Sequence, residues 1–200
     1  MGAGLSKNRI KGLSASVDQN SAVLILGTLP GRMSLTYGKY YADPSNKFWD
    51  ILFIACGEKI DKTDQGKKQL LEKYHIALWD ILYSAVRKTS NDKDISDETP
   101  NNLPLFLSQY PNIKLLIFHS NDAYENFKRF FNNTAVPYIC VSSPSGQNRK
   151  GTQEKAKEWR AALSCAIPQL RNGPRLAWKG ALPCDIIFSQ ERLTIKSQAP

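Results

Sequence analysis

Residues 22–49, AVLILGTLPGRMSLTYGKYYADPSNKFW, join an apolar run to a loop rich in glycine, proline and tyrosine. The run 22–28 is short, rich in apolar and β-branched residues, and is ended by glycine and proline, which predicts a buried strand. Residues 46–57, NKFWDILFIACG, carry apolar side chains near helical spacing and end at Gly57, which predicts a helix. A long polar loop therefore lies between a buried strand and the next helix.

The rest of the chain repeats this alternation of strand and helix. Three more strands are predicted, at 75–82, 113–120 and 137–146. Helices are predicted at 67–74, 103–111, 121–131 and 152–167, with Ser120 or Asn121 capping the third of these. Residues 84–102 are polar and predict a long loop. Continuous apolar strands that alternate with helices are typical of an α/β fold, in which helices cover both faces of a parallel sheet.

Composition and charge narrow the class of protein. The chain has 200 residues, of which 42% are hydrophobic and 22% charged, and no apolar run reaches the length of a membrane span, so we expect a cytoplasmic protein without a membrane partner. The net charge is +9, and residues 149–179 hold eight lysines and arginines against two glutamates. This basic segment favours a polyanion partner, although a solvated basic helix would have the same charge.

Several common catalytic signatures are missing from the sequence. It lacks G-x-G-x-x-G, a Walker A loop, G-x-S-x-G and H-E-x-x-H, and its four cysteines form no C-x-x-C pair. The absence of these signatures disfavours nucleotide-dependent, serine-hydrolase and metal-dependent chemistry, so we expect no metal and no cofactor. In open α/β sheets, ligands bind beyond the carboxyl ends of the strands. The candidate loops are therefore 27–46, the turn after Trp79, 119–121 and 142–149.

The sequences LILGTLPG and YYADPSNKFWDIL resemble the first motif of the uracil-DNA glycosylase superfamily, closest to its hypoxanthine-DNA (deoxyinosine) glycosylase family. IALWDIL, LLIFHSNDAYENF and VSSPSGQNR follow in the order expected, so the resemblance covers about residues 22–166. It implies a three-layer α/β/α fold with a four-stranded parallel sheet. It also implies a monofunctional glycosylase that excises hypoxanthine, and uracil, from DNA in base-excision repair.

The resemblance implies two catalytic residues. Asn46 matches the asparagine that closes the first motif and is implicated in catalysis, where its amide would orient water or bind the base. A simple N-cap for the following helix is the alternative role, and the two roles are compatible. Ser143 falls where relatives carry a histidine or asparagine that stabilises the leaving base. A hydroxyl donates a single hydrogen bond, so we expect weaker stabilisation from Ser143.

Base binding is implied for Gly27, Thr28, Leu29, Tyr41 and His119. Tyr41, with Tyr40 beside it, occupies the position of the aromatic ring that stacks on the flipped base; the alternative is that both rings only pack the loop on the core. Leu29 departs from most of the superfamily, which has Asn or Asp there to position water. An apolar residue at this position is typical of the hypoxanthine branch. It is also compatible with a catalytically inactive protein.

DNA binding is implied for the second motif, in which Gln147 occupies the position of the wedge and Arg149 is placed for a phosphate. The full set predicted for DNA contact is Ser142, Ser145, Gly146, Gln147, Asn148, Arg149 and Lys150. A proline- and glycine-rich surface turn is the alternative. His119 occupies a position where relatives often have Asn, which suggests that it faces the pocket. The alternative is a purely structural histidine. Asp80, after the second predicted strand, caps that strand or lines the pocket.

Three functions remain open at this point. The first is a DNA glycosylase acting as a cytoplasmic, nucleoid-associated monomer on DNA with a damaged or mismatched base. The second is a catalytically inactive nucleic-acid-binding module, which Leu29 and Ser143 favour. The third is an enzyme acting on free nucleosides, which would not need the basic segment. The predicted organisation is an N-terminal extension (1–20), a glycosylase-like α/β domain (21–167) and a C-terminal tail of uncertain structure (168–200).

Overall fold

The structure, a computed structural model, describes residues 9–88, 92–131, 134–146 and 148–171. The strands in this part of the chain are β1 (Arg9–Lys11), β2 (Val23–Gly27), β3 (Ile76–Asp80), β4 (Leu82–Arg87), β5 (Ile95–Pro100), β6 (Leu115–Phe118) and β7 (Tyr138–Cys140). The α-helices are α1 (Arg32–Tyr37), α2 (Phe48–Cys56), α3 (Asp64–Lys73), α4 (Leu103–Gln109), α5 (Asn121–Phe130) and α6 (Thr152–Ser164).

A four-stranded parallel sheet in the order β3-β2-β6-β7 lies at the centre of the fold. The predicted parallel sheet is thereby confirmed. In the register of the sheet, Gly27 of β2 pairs with Asp80 of β3, and Leu26 pairs with Phe118 of β6. The carboxyl ends of these three strands therefore meet side by side at one edge, where ligands of such sheets bind.

Helices cover both faces of this sheet, which explains why its strands are apolar without alternation. Successive side chains of a strand point to opposite faces. Val23 and Ile25 of β2 accordingly pack with α2, α3 and α6, whereas Leu24 and Leu26 pack with α4 and α5. Both layers are buried, as the three-layer α/β/α prediction requires.

The prediction of an uninterrupted loop at 84–102 is wrong. β4 and β5 lie in this region and form an antiparallel sheet with β1, in the order β1-β4-β5, with a turn of 3₁₀ helix at Asp92–Asp94 between them. The long loop after β2 also contains structure that was not predicted, the short helix α1. It ends at Gly38, whose φ of 63° is the left-handed conformation that closes many helices.

The two ends of the chain are described in part. β1 pairs with β4, and Ser16 forms an isolated bridge with Leu78, so residues 9–16 lie along strands of the fold. Residues 1–8 and 172–200, with most of the predicted tail, lie outside the described residues. The proposed boundaries at 20 and 167 stay a prediction. None of the helices described here has both the length and the hydrophobicity that crossing a bilayer requires.

Candidate functional site

A cleft of about 1120 Å³ opens at the carboxyl edge of the parallel sheet. It is lined by most of the residues that the two sequence motifs predict: Gly27, Thr28, Leu29, Tyr41, Asn46, His119, Ser142, Ser143, Ser145, Gly146 and Asn148. Arg149 and Lys150 are not among the lining residues, and Gln147, the predicted wedge, lies outside the described residues. The fold therefore gathers loops that are more than one hundred residues apart in the chain.

Gly27, the last residue of β2, sits at the floor of this cleft. A Cβ at this position would stand 2.6 Å from Oδ1 of Asp80 and 2.9 Å from Nε2 of His119. Such distances are shorter than van der Waals contact, so a larger residue would displace one of these two side chains. Glycine is needed here because the neighbouring strands β3 and β6 deliver a carboxylate and an imidazole to the same spot.

Tyr41 is held in a defined position over the floor. Its ring stacks on Phe48 with the centroids 3.5 Å apart and the planes 5° apart, and its hydroxyl lies 2.7 Å from Nε2 of His119. Its φ of 53° is a left-handed conformation that costs a non-glycine residue roughly 1–2 kcal/mol. One face of the ring packs on the core while the residue still lines the cleft. Stacking of this ring on a base stays a prediction.

Asn46 lies two residues before Phe48 and binds the first backbone N–H of α2. Its Oδ1 accepts a hydrogen bond from the N–H of Phe48 at 2.9 Å, although Lys47 precedes the helix directly. A backbone donor needs an acceptor, which identifies this side-chain atom as the oxygen. The oxygen is thus engaged by the helix, and the NH₂ group is the part of the amide left to act in the cleft. The predicted N-cap position is one residue off, because Lys47 is the N-cap and Asn46 binds the first N–H of the helix from the position before it; the catalytic role stays a prediction.

Asp80 is a buried carboxyl group at the end of β3. Its side chain lines the cleft while the residue as a whole is 5% exposed, and no described group is within hydrogen-bonding geometry of its Oδ2. Burial raises the pKa of Asp80 to about 7; the Asp92 charge adds to the rise, while Tyr40 and Arg87 oppose it. The pKa of Tyr40 is likewise raised far above its usual value by burial and by Asp80.

Arg87 of β4 is buried next to the cleft and binds the backbone of the loop that follows β2. Its side chain is 2% exposed and donates hydrogen bonds to the backbone carbonyls of Leu29, at 3.4 Å, and of Pro30. It also lies 3.7 Å from a carboxylate oxygen of Asp92. Burial lowers the pKa of Arg87 and raises the pKa of Asp92. The loop after β2 is thus fixed by a strand that the sequence did not predict.

His119 follows β6 and faces the same floor. Burial lowers its pKa to about 4, so the imidazole is neutral near pH 7. Nε2 is engaged with the Tyr41 hydroxyl, and Nδ1 is buried without a hydrogen-bond partner in the described part of the chain. A neutral imidazole carries one donor and one acceptor nitrogen, and the direction of the bond with Tyr41 decides which is which.

The loop 142–150 is clamped by α6. Glu158 accepts hydrogen bonds from the backbone N–H of Ser142 at 2.7 Å and from its hydroxyl at 2.6 Å. The buried Lys155 donates to the carbonyls of Ser145, at 3.4 Å, and of Asn148, at 3.1 Å. These contacts set the shape of the loop, and neither residue was singled out in the sequence.

The two basic residues of this loop differ in their surroundings. The ammonium group of Lys150 lies 2.5 Å from Oε2 of Glu158 and is therefore neutralised within the protein. Arg149 is exposed. Contact with DNA stays a prediction for both, and the exposed guanidinium is the better placed of the two.

Four charged residues at or near the cleft lie outside the two main sequence motifs. Asp80 was named from the sequence as a residue that caps its strand or lines the pocket, and it is the last residue of β3 and lines the cleft. Asp92 sits in the turn-rich segment before β5 and carried no signal in the sequence. Lys155 and Glu158 lie three residues apart and so share a face of α6, but charged pairs at this spacing usually mark a solvated surface.

Residues 15–164 match the model of the uracil DNA glycosylase superfamily. Two hypoxanthine DNA glycosylases, from Methanosarcina acetivorans and Methanosarcina barkeri, are similar to this chain at 31% and 29% identity over 154 residues. The match covers 76% of this chain and 97% of each relative. A solution NMR structure from Methanosarcina acetivorans, described as a candidate uracil DNA glycosylase, is similar with a TM-score of 0.69 at 30% identity, over 79% of this chain and 98% of that one.

Proposed function

The chain belongs to the uracil DNA glycosylase superfamily and is a DNA glycosylase, and we propose that it is a monofunctional enzyme that excises hypoxanthine, with uracil as a second target, in base-excision repair. One observation carries this proposal. The relatives matched over 97% of their length are named hypoxanthine DNA glycosylases, and most of the residues predicted from the two motifs line a single cleft here.

The target base must leave the duplex to enter such a cleft, as in other enzymes that act on bases. Tyr41 offers the base an aromatic surface, because Phe48 covers only one face of its ring. Stacking of a base on an aromatic side chain is worth roughly 1–3 kcal/mol. The bond between Tyr41 and His119 holds the ring in place before the base arrives, so little further ordering is needed.

Hydrolysis breaks the bond between C1′ of the sugar and the base nitrogen, and the electron pair of that bond leaves with the base. The sugar develops the character of an oxocarbenium ion, to which water then adds with loss of a proton. The NH₂ group of Asn46 and the hydroxyl of Ser143 are donors suited to the negative charge on the departing base. Asp43 also lines the cleft, and hydrogen bonds from Ser45 lower its pKa, so its negative charge favours the cationic sugar.

Asn46→Ala tests the catalytic part of this proposal. Removal of one preorganised donor should reduce the rate of hypoxanthine excision about a hundredfold or more. The loss of the Asn46 hydrogen bond to α2 should cost about 1 kcal/mol of stability. Excision is measured under single-turnover conditions on oligonucleotides carrying deoxyinosine or deoxyuridine, with alkali to cut the abasic product.

Asn102→Ala is the matched control, because Asn102 caps α4 by accepting from the N–H of Leu105 at 3.1 Å and does not line the cleft. It should lose similar stability and keep the parental excision rate. If the two alanine variants excise hypoxanthine equally fast, Asn46 only stabilises the start of its helix and the proposed chemistry is wrong.

A further inference from the structure

The Pro144–Ser145 peptide connects the two loops that contain the proposed catalytic side chains. Its carbonyl accepts a hydrogen bond from the N–H of Lys47, the residue after Asn46, at 3.1 Å. Its N–H donates to the hydroxyl oxygen of Ser143 at 3.2 Å. A displacement of this one peptide would therefore move Ser143 relative to Asn46, although the two residues are far apart in the chain.

The bond from Ser145 determines which atom Ser143 can offer to a base. A serine hydroxyl has one donor hydrogen, and here its oxygen already accepts from the N–H of Ser145. The hydrogen is the group that can still be donated into the cleft, which Ser143 lines. The role proposed for Ser143, donation to the departing base, therefore depends on the position of Ser145.

Lys155 of α6 binds Ser145 through the carbonyl group of that residue. The ammonium group donates to the carbonyl oxygen of Ser145 at 3.4 Å and to that of Asn148 at 3.1 Å. The N–H of Asn148 also donates to the Ser145 carbonyl, at 3.1 Å, so both residues hold the same oxygen. Lys155 is 2% exposed and does not line the cleft. It can therefore influence the cleft only through the loop that it binds.

A buried lysine at this position is not explained by stability alone. Burying an ammonium group costs free energy unless hydrogen bonds and opposite charges compensate. The carboxylate of Glu158, on the same face of α6, is already bound by Lys150 at 2.5 Å and by the Ser142 hydroxyl at 2.6 Å. Replacing buried charges by apolar groups of similar volume is often neutral or stabilising. The contacts of Lys155 with the loop are therefore the feature that an apolar residue could not supply.

Resting on the proposed function, we propose that Lys155 is a positioning residue for base excision: it holds Ser145 so that the Ser143 hydroxyl directs its hydrogen to the departing base. Small displacements of a catalytic group reduce reaction rates strongly, even when the substituted residue is remote from the chemistry. Because Lys155 is buried, its loss should reduce the rate of bond cleavage rather than the affinity for DNA.

The test is a double-mutant cycle between Lys155→Met, which keeps the apolar stem without the ammonium group, and Ser143→Ala. Single-turnover excision of hypoxanthine is measured over a series of enzyme concentrations for the parent, both single variants and the double variant. Lys155→Met should reduce the maximal rate about 10- to 100-fold and change the half-saturating enzyme concentration less than about threefold. When Ser143 is already alanine, the same substitution should reduce the maximal rate less than about threefold, because the hydroxyl to be positioned is gone.

Arg160→Met is the matched control. Arg160 lies on the same helix and also donates to two backbone carbonyls, of Ala55 at 2.9 Å and of Leu170 at 3.2 Å, but it does not line the cleft. It should keep the parental maximal rate, which separates a specific effect on the loop from a general weakening of α6. Lys155→Gln, which is uncharged and shorter, repeats the cycle if the methionine variant does not fold.

The possible outcomes separate this inference from the proposed function. The inference alone is overturned if the Lys155 substitution changes the maximal rate by the same factor with and without the Ser143 hydroxyl, or changes only the half-saturating concentration. An equal loss in Arg160→Met, or a Ser143→Ala variant as fast as the parent, overturns it too. A parent that excises no hypoxanthine overturns the proposed function as well.

Discussion

Asp80→Asn should stabilise the protein, and the gain should increase with pH. The carboxyl group of Asp80 is buried at the floor of the cleft, and its pKa is raised from 3.8 to about 7. Between these two values the folded protein holds a proton that the unfolded chain has released. The stability contributed by this group is therefore complete below about pH 4 and is lost as the pH rises through 7.

The size of the effect follows from these two pKa values. For one group with a pKa near 3.8 unfolded and near 7 folded, linkage gives a loss of about 2.5 kcal/mol between pH 5 and pH 8. Asparagine has nearly the same volume and does not titrate. Any cost of burying its amide is the same at both pH values, so it cancels in the comparison.

Urea unfolding at pH 5 and pH 8 measures this difference. The gain in unfolding free energy of Asp80→Asn over the parent should be about 2.5 kcal/mol larger at pH 8 than at pH 5. Asp122→Asn should show no such increase, because its carboxylate is exposed. A gain from Asp80→Asn that is the same at both pH values would refute the account of a buried, proton-holding carboxyl group.

Two further predictions concern the neighbouring groups. Burial lowers the pKa of His119 to about 4, so its contribution to stability is complete above pH 6.5 and is lost as the pH falls through 4. His119→Asn should therefore lose less unfolding free energy between pH 7 and pH 4 than the parent does. An identical loss in urea unfolding of the two proteins would contradict this. Arg149→Glu should reduce the slope of log DNA affinity against log salt by about 0.9 per phosphate contact. Lys150→Glu should change that slope less, because Lys150 is already paired with Glu158, and a salt series that shows the reverse order would place the DNA elsewhere.

The sequence predicted the central sheet because its signals are local. β2 is apolar on both faces, which indicates a strand covered on both sides, and the structure buries it in this way. Ser120 was one of two predicted caps for α5, and its hydroxyl accepts from the N–H of Ala123 at 3.1 Å. The grouping of the motif loops followed from the rule that parallel strands end at the same edge of a sheet.

What the sequence did not reveal depends on contacts between distant segments. β5 is polar enough to resemble a loop, and the few apolar residues of β4 did not distinguish it from the loop; both form strands because β1, more than 70 residues earlier, pairs with β4. Arg87 and Asp92 reach the floor only through this second sheet. Lys155 and Glu158 had no signal either, because their partners are mainly in the preceding loop rather than on their own helix.

Release of the free base from DNA is the most direct measurement of the central claim. A duplex with a single deoxyinosine is incubated with the purified protein, and the small-molecule fraction is analysed by mass spectrometry while the strand is tested for alkali-labile abasic sites. We expect free hypoxanthine and one abasic site for each base released, with no adenine released from the matched duplex. Intact deoxyinosine strands at an enzyme concentration that saturates the DNA would contradict the assignment of hypoxanthine as the target.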